Sequence, residues 1–520
     1  MIISKLARVR SFSKDCQTAA APRSNGSGVA WLLGEIAIWV GVCAMAVAIR
    51  IRLVAAAIKA RRTGRDGMLL PRVLANVVTQ CEEERYTISF WCLTNFVNVF
   101  KLAVPAGARL IRSPVEIDSG NLFARSQGTG PLRPTHLRRA NVAAVLALLR
   151  GQGPCSRADL VRTSGLSAPT VSSAIQYLWR KRLVETLGAG VSNGGRPPGL
   201  LRFNARFGYV AGADIGGSAV RVALADLNGT ILGRWAASTR GNATPQRIVA
   251  SVATGVRELL RQHKVARSRL LTLAAGAPGI TDVQAGIVIS APHLSQWHNV
   301  PLRELLQDKV GVSATIDNDV NLGALGESWC GAARGVRNFV FLAIGTGIGA
   351  GIFVDGRLHH GDDWAAGEVG YMHVPGAPDG VLRFNRPGPL ESVIGGAAIE
   401  RAWRRMTHSG NGSRRAQATQ VFEYAKAGHP AARRLLQEAA RMVSNTVLNV
   451  SLVLNSSLVV LGGGIGTSPP FFEAIRRLLE RNEFARPRLA LSALGKDAQL
   501  FGAVRLALDH AEARLLGAGA

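Results

Sequence analysis

Three glycine-rich turns carry the first visible chemistry in this 520-residue sequence. Asp214 is followed by Gly216, Gly217 and Ser218; Gly345, Thr346 and Gly347 follow one apolar run, and Gly463 and Gly464 follow another. Glycine lets backbone N–H groups approach an anion closely, and Ser218 and Thr346 add hydroxyl donors, so the turns suit phosphate. Asp214 is placed to hold a magnesium-bound water, and the third turn to cover an adenine face. Hairpin geometry alone explains any one of these turns, but three in this order are a stronger sign.

A second set of residues suits a different polyanion. Ser167, Thr170, Ser172, Ser173 and Gln176 are small polar groups followed by the basic Arg180, and Arg196 sits between Gly195 and Pro197. Such hydroxyls and amides fit base edges in a major groove, while an arginine on a stiff tip enters a minor groove or grips a phosphate. The competing interpretation is a small three-helix unit for protein contacts, with Arg196 a solvated loop residue.

The elements that must position these residues are legible from spacing. Val142, Val145, Leu146 and Leu149 recur at helical intervals before Gly153 and Pro154. Ser156 and Asp159 have capping-box spacing for a short second helix, Gly165 serves the corner, and Ser167 caps a third helix with Val171, Ile175 and Leu178 on its buried face. Two strands around a Gly-rich loop follow, which predicts a wing. Across residues 131–206 the only acids are Asp159 and Glu185. From Tyr209 a strand, a glycine turn, a second strand, an Asn228-Gly229 hairpin and a third strand succeed one another, and the same order recurs from Asn338 with Asp355-Gly356 at the hairpin. Such a duplication predicts two similar α/β lobes facing each other across a cleft.

Length allows two or three domains, and 47% hydrophobic with 18% charged residues argues against a mainly disordered chain. Lys and Arg number 62 against 34 Asp and Glu, a net charge of +28 that points first to nucleic acid, although arginine enrichment from coding-DNA composition also contributes. Six cysteines without CxxC pairs fit reduced thiols in the cytoplasm. Residues 1–130 form a separate problem. Val29 to Ile49 is an apolar run broken only by Glu35, of bilayer-spanning length, yet both flanks are basic and no sustained period surrounds it. The favoured expectation is a poorly structured extension, translated from a start assigned too far upstream, with Met68 one candidate for a later start; a membrane anchor is the minority reading.

From about Arg138 onward the chain resembles the ROK family (repressors, open reading frames and kinases), in its regulator branch of xylose-repressor- and N-acetylglucosamine-repressor-like proteins. The resemblance rests on SRADLVRTSGLSAPTVSSAI, GGRPP and the duplicated glycine turns. It implies an α/β protein with a winged helix-turn-helix at 131–206 and a two-lobed actin/hexokinase-like (ribonuclease H-like) ATPase-type domain at 207–520. It also implies sugar contacts from an NDxN motif, here Asn318, Asp319 and Asn321, from the GEIGH-type run Gly367–Tyr371 containing Glu368, and from Glu391. In kinase members the aspartate matching Asp319 is the general base; a helix-capping role is compatible with that. The family's zinc ligands are replaced: Tyr371 stands in the histidine position and Leu382, Phe384 and Pro389 in the cysteine positions. No zinc or other metal site is therefore expected, the Glu368 loop should be held by apolar packing, and His359 and His360 are expected as exposed loop residues.

Two functions follow from these expectations. In the first, a sugar or sugar derivative closes the cleft and changes operator affinity of a homodimer or higher homo-oligomer on palindromic DNA, with no membrane partner. In the second, the chain is an ATP-dependent, glucokinase-like sugar kinase taking Mg-ATP; Ala219, where kinase members often carry Lys, counts against it.

Overall fold

The computed structural model describes residues 134–517 apart from 190–198, 240–242, 292–293, 295, 380–381, 384–385, 408–415 and 485; Val29–Ile49 and Arg196 lie outside the described residues. Among these no helix is long and apolar enough to cross a membrane.

Three helices open the described chain: α1 (Pro134–Gln152), α2 (Arg157–Ser164) and α3 (Ala168–Arg180). Ser156 Oγ accepts from the Asp159 N–H while the Asp159 carboxylate accepts from the Ser156 N–H, so the capping box starts α2. Gly165, at φ 67°, turns the chain out of α2, a conformation that costs glycine little. Ser167 then caps α3 through the Thr170 N–H. Strands β1 (Val184–Ala189) and β2 (Gly199–Phe203) pair antiparallel behind the helices.

The remainder forms two sheets of one design. In the first, β3 (Tyr209–Ile215), β4 (Ala219–Asp226) and β5 (Ile231–Ser238) run antiparallel. Helix α4 (Pro245–Gln262) then leads to β6 (Leu270–Ala277), parallel to β3. A small sheet of β7 (Ile280–Asp282), β8 (Ile287–Ser290) and β9 (His298–Val300) intervenes, after which α5 (Leu302–Val310) returns the chain to β10 (Ser313–Asn318), parallel to β6. The sheet order is β10-β6-β3-β4-β5. Helix α6 (Asp319–Cys330) crosses to the second sheet, where β11 (Phe339–Ile344), β12 (Ile348–Val354) and β13 (Arg357–His359) are again antiparallel. Helices α7 (Gly396–Thr407), α8 (Ala418–Lys426) and α9 (Pro430–Leu454) precede β14 (Leu458–Gly462); α10 (Pro469–Leu479) precedes β15 (Arg488–Leu491). The order β13-β12-β11-β14-β15 repeats the first sheet's topology. Central strands such as β11 are buried at every position, as a sheet covered on both faces requires. Gly463 and Gly464, expected as an open loop, instead begin a short helical turn, Gly463–Gly466.

The last helix, α11 (Ala498–Leu515), returns to the first lobe and packs against α6 almost backbone to backbone. A Cβ on Gly502 would lie 1.8 Å from the Leu322 carbonyl oxygen, and one on Gly326 would lie 2.3 Å from that of Ala498. Further along, α11 places Val504, Leu508 and Ala511, with Leu516 just past its end, in one core with Leu146, Leu149, Ile175 and Leu178 of α1 and α3. Glu512 pairs with Arg150, whose guanidinium stands 4.6 Å over the Phe203 ring. Gly502→Ala is expected to cost at least about 2 kcal/mol, because backbone rather than a flexible side chain must move. Urea denaturation should show that loss, whereas Gly151→Ala, which meets open space, should leave the midpoint nearly unchanged.

Candidate functional site

The end of β10 and the start of α6 form the floor of a cleft of about 230 Å³ between the two sheets. Asn318 is the helix cap: its Oδ1 accepts from the Val320 and Asn321 N–H groups at 2.8 and 3.1 Å, and its Nδ2 donates to the Gly279 carbonyl at 2.9 Å. The capping role anticipated for Asp319 therefore belongs to its neighbour, because the chain becomes helical at Asp319 itself. Asp319 accepts a hydrogen bond from the Val320 N–H at 2.9 Å and faces the cleft. Enclosure pushes its carboxyl up to about 8; the charges of Asp214 and Glu368 push the same way, against the Val320 N–H.

Glu368, Tyr371 and Glu391 line the same cleft as Asn318 and Asp319. Glu391 accepts from the Ile348 N–H at 2.8 Å, which ties it to the second sheet. Tyr371 replaces an expected apolar attachment with a polar one: its hydroxyl lies 3.1 Å from the Arg386 carbonyl oxygen, with the Arg383 carbonyl close by, and it donates to this stretch of chain. Burial, followed by the charges of Glu368 and Glu391, pushes the phenol up to about 12, so it remains a donor across ordinary pH.

The phosphate-type turns divide. Gly217, Gly345, Thr346, Gly347 and Gly463 reach the cleft wall; Asp214, Gly216, Ser218 and Gly464 do not. Asp214 is buried and bound by Arg221, whose Nε donates to Oδ2 at 2.8 Å and whose Nη2 reaches the same oxygen. The same guanidinium meets Asp497 at 3.4 Å and the Lys496 carbonyl. Arg221, whose charge persists at every ordinary pH, thus holds one oxygen of Asp214, the carboxylate expected to hold a magnesium-bound water.

Other participants escaped sequence reasoning. His360 is not an exposed loop residue: its Nε2 lies 2.9 Å from Oδ2 of buried Asp317. Fully buried Glu327 accepts from the Ala332 N–H at 2.6 Å and the Leu494 N–H at 3.0 Å, and also holds Ser492 Oγ, pinning the approach to α11. No local pattern announces either, since Asp317 lies 43 residues from His360, and Ser492 and Leu494 lie 165 and 167 from Glu327.

At the other end of the described chain, Val171, Ile175 and Leu178 are buried while Ser167, Ser172, Ser173 and Gln176 are exposed and Thr170 is half-buried. Arg180 lies three turns along α3, beside Arg138, Arg139 and Lys181. The polar face of α3 is thus accessible, and its apolar face is committed to the core shared with α11.

Residues 210–510 match the ROK family. The chain is 26% identical to the xylose repressor of Caldicellulosiruptor bescii over 72% of its own length and 97% of that protein. A crystal structure of a ROK family transcriptional regulator, a homologue of the E. coli MLC protein, superposes with TM-score 0.62 and 23% identity, over 74% of this chain and all of that one. A ROK family glucokinase from Streptomyces griseus, in complex with glucose and AMPPNP, gives TM-score 0.51 and 26% identity over 58% of this chain and all of the other. With the duplicated sheets, the shared cleft and a family match across more than half its length, the chain belongs to the ROK family.

Proposed function

We propose that this chain is a sugar-responsive transcriptional repressor whose 131–206 module binds operator DNA and whose two-lobed domain binds a sugar in the cleft above Asp319. The observation that carries the reading is the single core joining the two: α3 turns its polar face outward while its apolar face packs with α11, and α11 in turn meets α6, the helix that starts at the cleft floor. Likeness to a xylose repressor along nearly that protein's whole length supports it. Sugar binding acts on the operator only through a difference in affinity between two arrangements. A contact without slack between α6 and α11 provides a path for that difference.

In the cleft, Asn318 and Asp319 provide the floor, and Glu368, Tyr371 and Glu391 line it from the second lobe. A sugar hydroxyl is both donor and acceptor, so carboxylates and a phenol so placed can hold it from two sides. Burial raises the Asp319 carboxyl to about 8, so at neutral pH its protonated form can donate a hydrogen bond to a sugar hydroxyl. The two DNA modules of a homodimer would read palindromic half-sites about one helical turn apart, roughly 34 Å.

The kinase reading draws on one observation: Gly345, Thr346, Gly347 and Gly463 share the cleft with Asp319. Against it stand the Arg221 guanidinium on one oxygen of Asp214 and an Asp319 proton held up to about pH 8, which leaves only a minor fraction of the base form at neutral pH.

Three outcomes test these readings. Gln176→Ala should weaken specific operator binding roughly tenfold, within the 1–3 kcal/mol typical of a base contact, and leave sugar-induced thermal stabilisation intact; anisotropy at fixed salt reads the first and thermal shift the second. Unchanged operator affinity would remove α3 as the reading helix. An ADP-release assay with D-glucose, D-xylose and N-acetyl-D-glucosamine should detect no turnover at pH 7; turnover abolished by Asp319→Asn would establish the kinase instead. Finally, because the folded protein holds the Asp319 proton up to about pH 8 and the unfolded chain releases it near 4, ionisation penalises the fold progressively as pH rises through that window. Asp319→Asn should therefore melt like the parent below pH 4 and several degrees higher at pH 9, in scans across buffers.

A further inference from the structure

The Asp317–His360 pair joins elements that the rest of the cleft leaves apart. Asp317 belongs to β10 of the first sheet, and His360 directly follows β13, the edge strand of the second. Both carboxylate oxygens of Asp317 are engaged: Oδ1 accepts from the Asn318 N–H at 2.7 Å and from Asn321 Nδ2 at 3.1 Å, and Oδ2 meets His360 Nε2 at 2.9 Å. A carboxylate only accepts, so His360 carries its proton on Nε2 and donates. The imidazole also packs edge-on against Trp364, with ring centroids 5.7 Å apart.

His360 is the root of the loop that ends at Glu368. The Ala366 N–H donates to the His360 carbonyl at 3.2 Å, closing the loop at its base, and the Ala350 N–H of β12 donates to the Gly367 carbonyl at 2.7 Å, tying the loop's end to the second sheet. Gly361, Trp364 and Gly367 all have positive φ, 73°, 61° and 89°. For tryptophan that region is unfavourable, and contacts of the folded loop must hold it there. Behind the loop, β13 is attached by only three paired residues. The bond from His360 to a buried carboxylate of the opposite sheet anchors the loop's other end across the cleft.

We propose that His360 is a positioning residue: through Asp317 it latches the Gly361–Gly367 loop to the first sheet, and so places Glu368 over the sugar site. The assignment rests on the sugar-binding reading for its ligand but not for the latch itself. A relay role is not part of it, since Asp317 already spends its other oxygen on the α6 corner and Asn318 separates it from Asp319. Charge-assisted hydrogen bonds to a buried acceptor are worth enough that removing one loosens both the loop and whatever the loop holds.

Hydrogen exchange on the ligand-free, full-length protein reads the latch directly. His360→Ala should raise exchange of residues 361–368 at least tenfold and leave α3 and α11 unchanged; His360→Gln, which keeps a donor at similar reach, should restore most of the protection. Exchange in the loop unaltered by His360→Ala overturns the latch, and so does a Gln variant no better protected than Ala. Calorimetric titration with D-glucose, D-xylose and N-acetyl-D-glucosamine then reads the consequence. Whichever sugar binds the parent should bind His360→Ala about tenfold more weakly, and His360→Gln within about threefold of the parent. Equal affinity in the Ala variant refutes positioning of Glu368 even if the loop loosens. If the parent binds none of the three, the sugar reading fails while the exchange result still decides the latch.

Discussion

The close contact of α6 with α11 is the constraint on which the rest of this protein depends. Two helices can meet backbone to backbone only where side chains are missing, and here Gly326 and Gly502 leave no room for a methyl group. Gly212 of β3 repeats the arrangement on the other side of α11, where a Cβ would stand 2.6 Å from the Val504 nitrogen. Because α6 begins at the cleft floor and the far half of α11 lies in the core of the first three helices, this seam is the common wall of both working parts. A contact with no slack transmits displacement rather than absorbing it.

Buried charge is organised around the same seam. Glu327 would be costly inside the protein if its oxygens were not filled by the Ala332 and Leu494 N–H groups and the Ser492 hydroxyl. That cluster fixes where α11 starts. Arg221 does comparable work nearby, bridging Asp214 of the first sheet to Asp497, the residue before α11. Asp214 is thereby part of a joint between strand and helix. Asp319, with the charges of Asp214 and Glu368 rather than a cation acting on it, responds to burial by favouring its proton.

Much of this protein was readable along the chain because the relevant physics is local. Capping at Ser156 and Ser167, the left-handed corner at Gly165, the apolar stripe of α3 and the hairpins at Gly229 and Gly356 all involve residues within four or five positions of one another. Family resemblance extended that reach to Asn318, Asp319, Glu368, Tyr371 and Glu391, which the fold does gather around one cleft. The repeated strand order likewise anticipated two sheets with the same topology.

What the sequence could not determine was which neighbour claims each polar group, since that choice is made by elements far apart in the chain. Asp214 looked ready for a magnesium-bound water until strand pairing set Arg221 opposite it; His360 looked exposed until the second sheet brought it to Asp317; the Glu368 loop looked held by apolar packing until the Tyr371 hydroxyl met the carbonyls of residues 383 and 386. By itself the sequence determined the elements, their duplication and the residue types at the cleft. Only the tertiary structure decided the pairings, because a hydrogen bond or ion pair depends on distances of about 3 Å that strand register and helix packing impose.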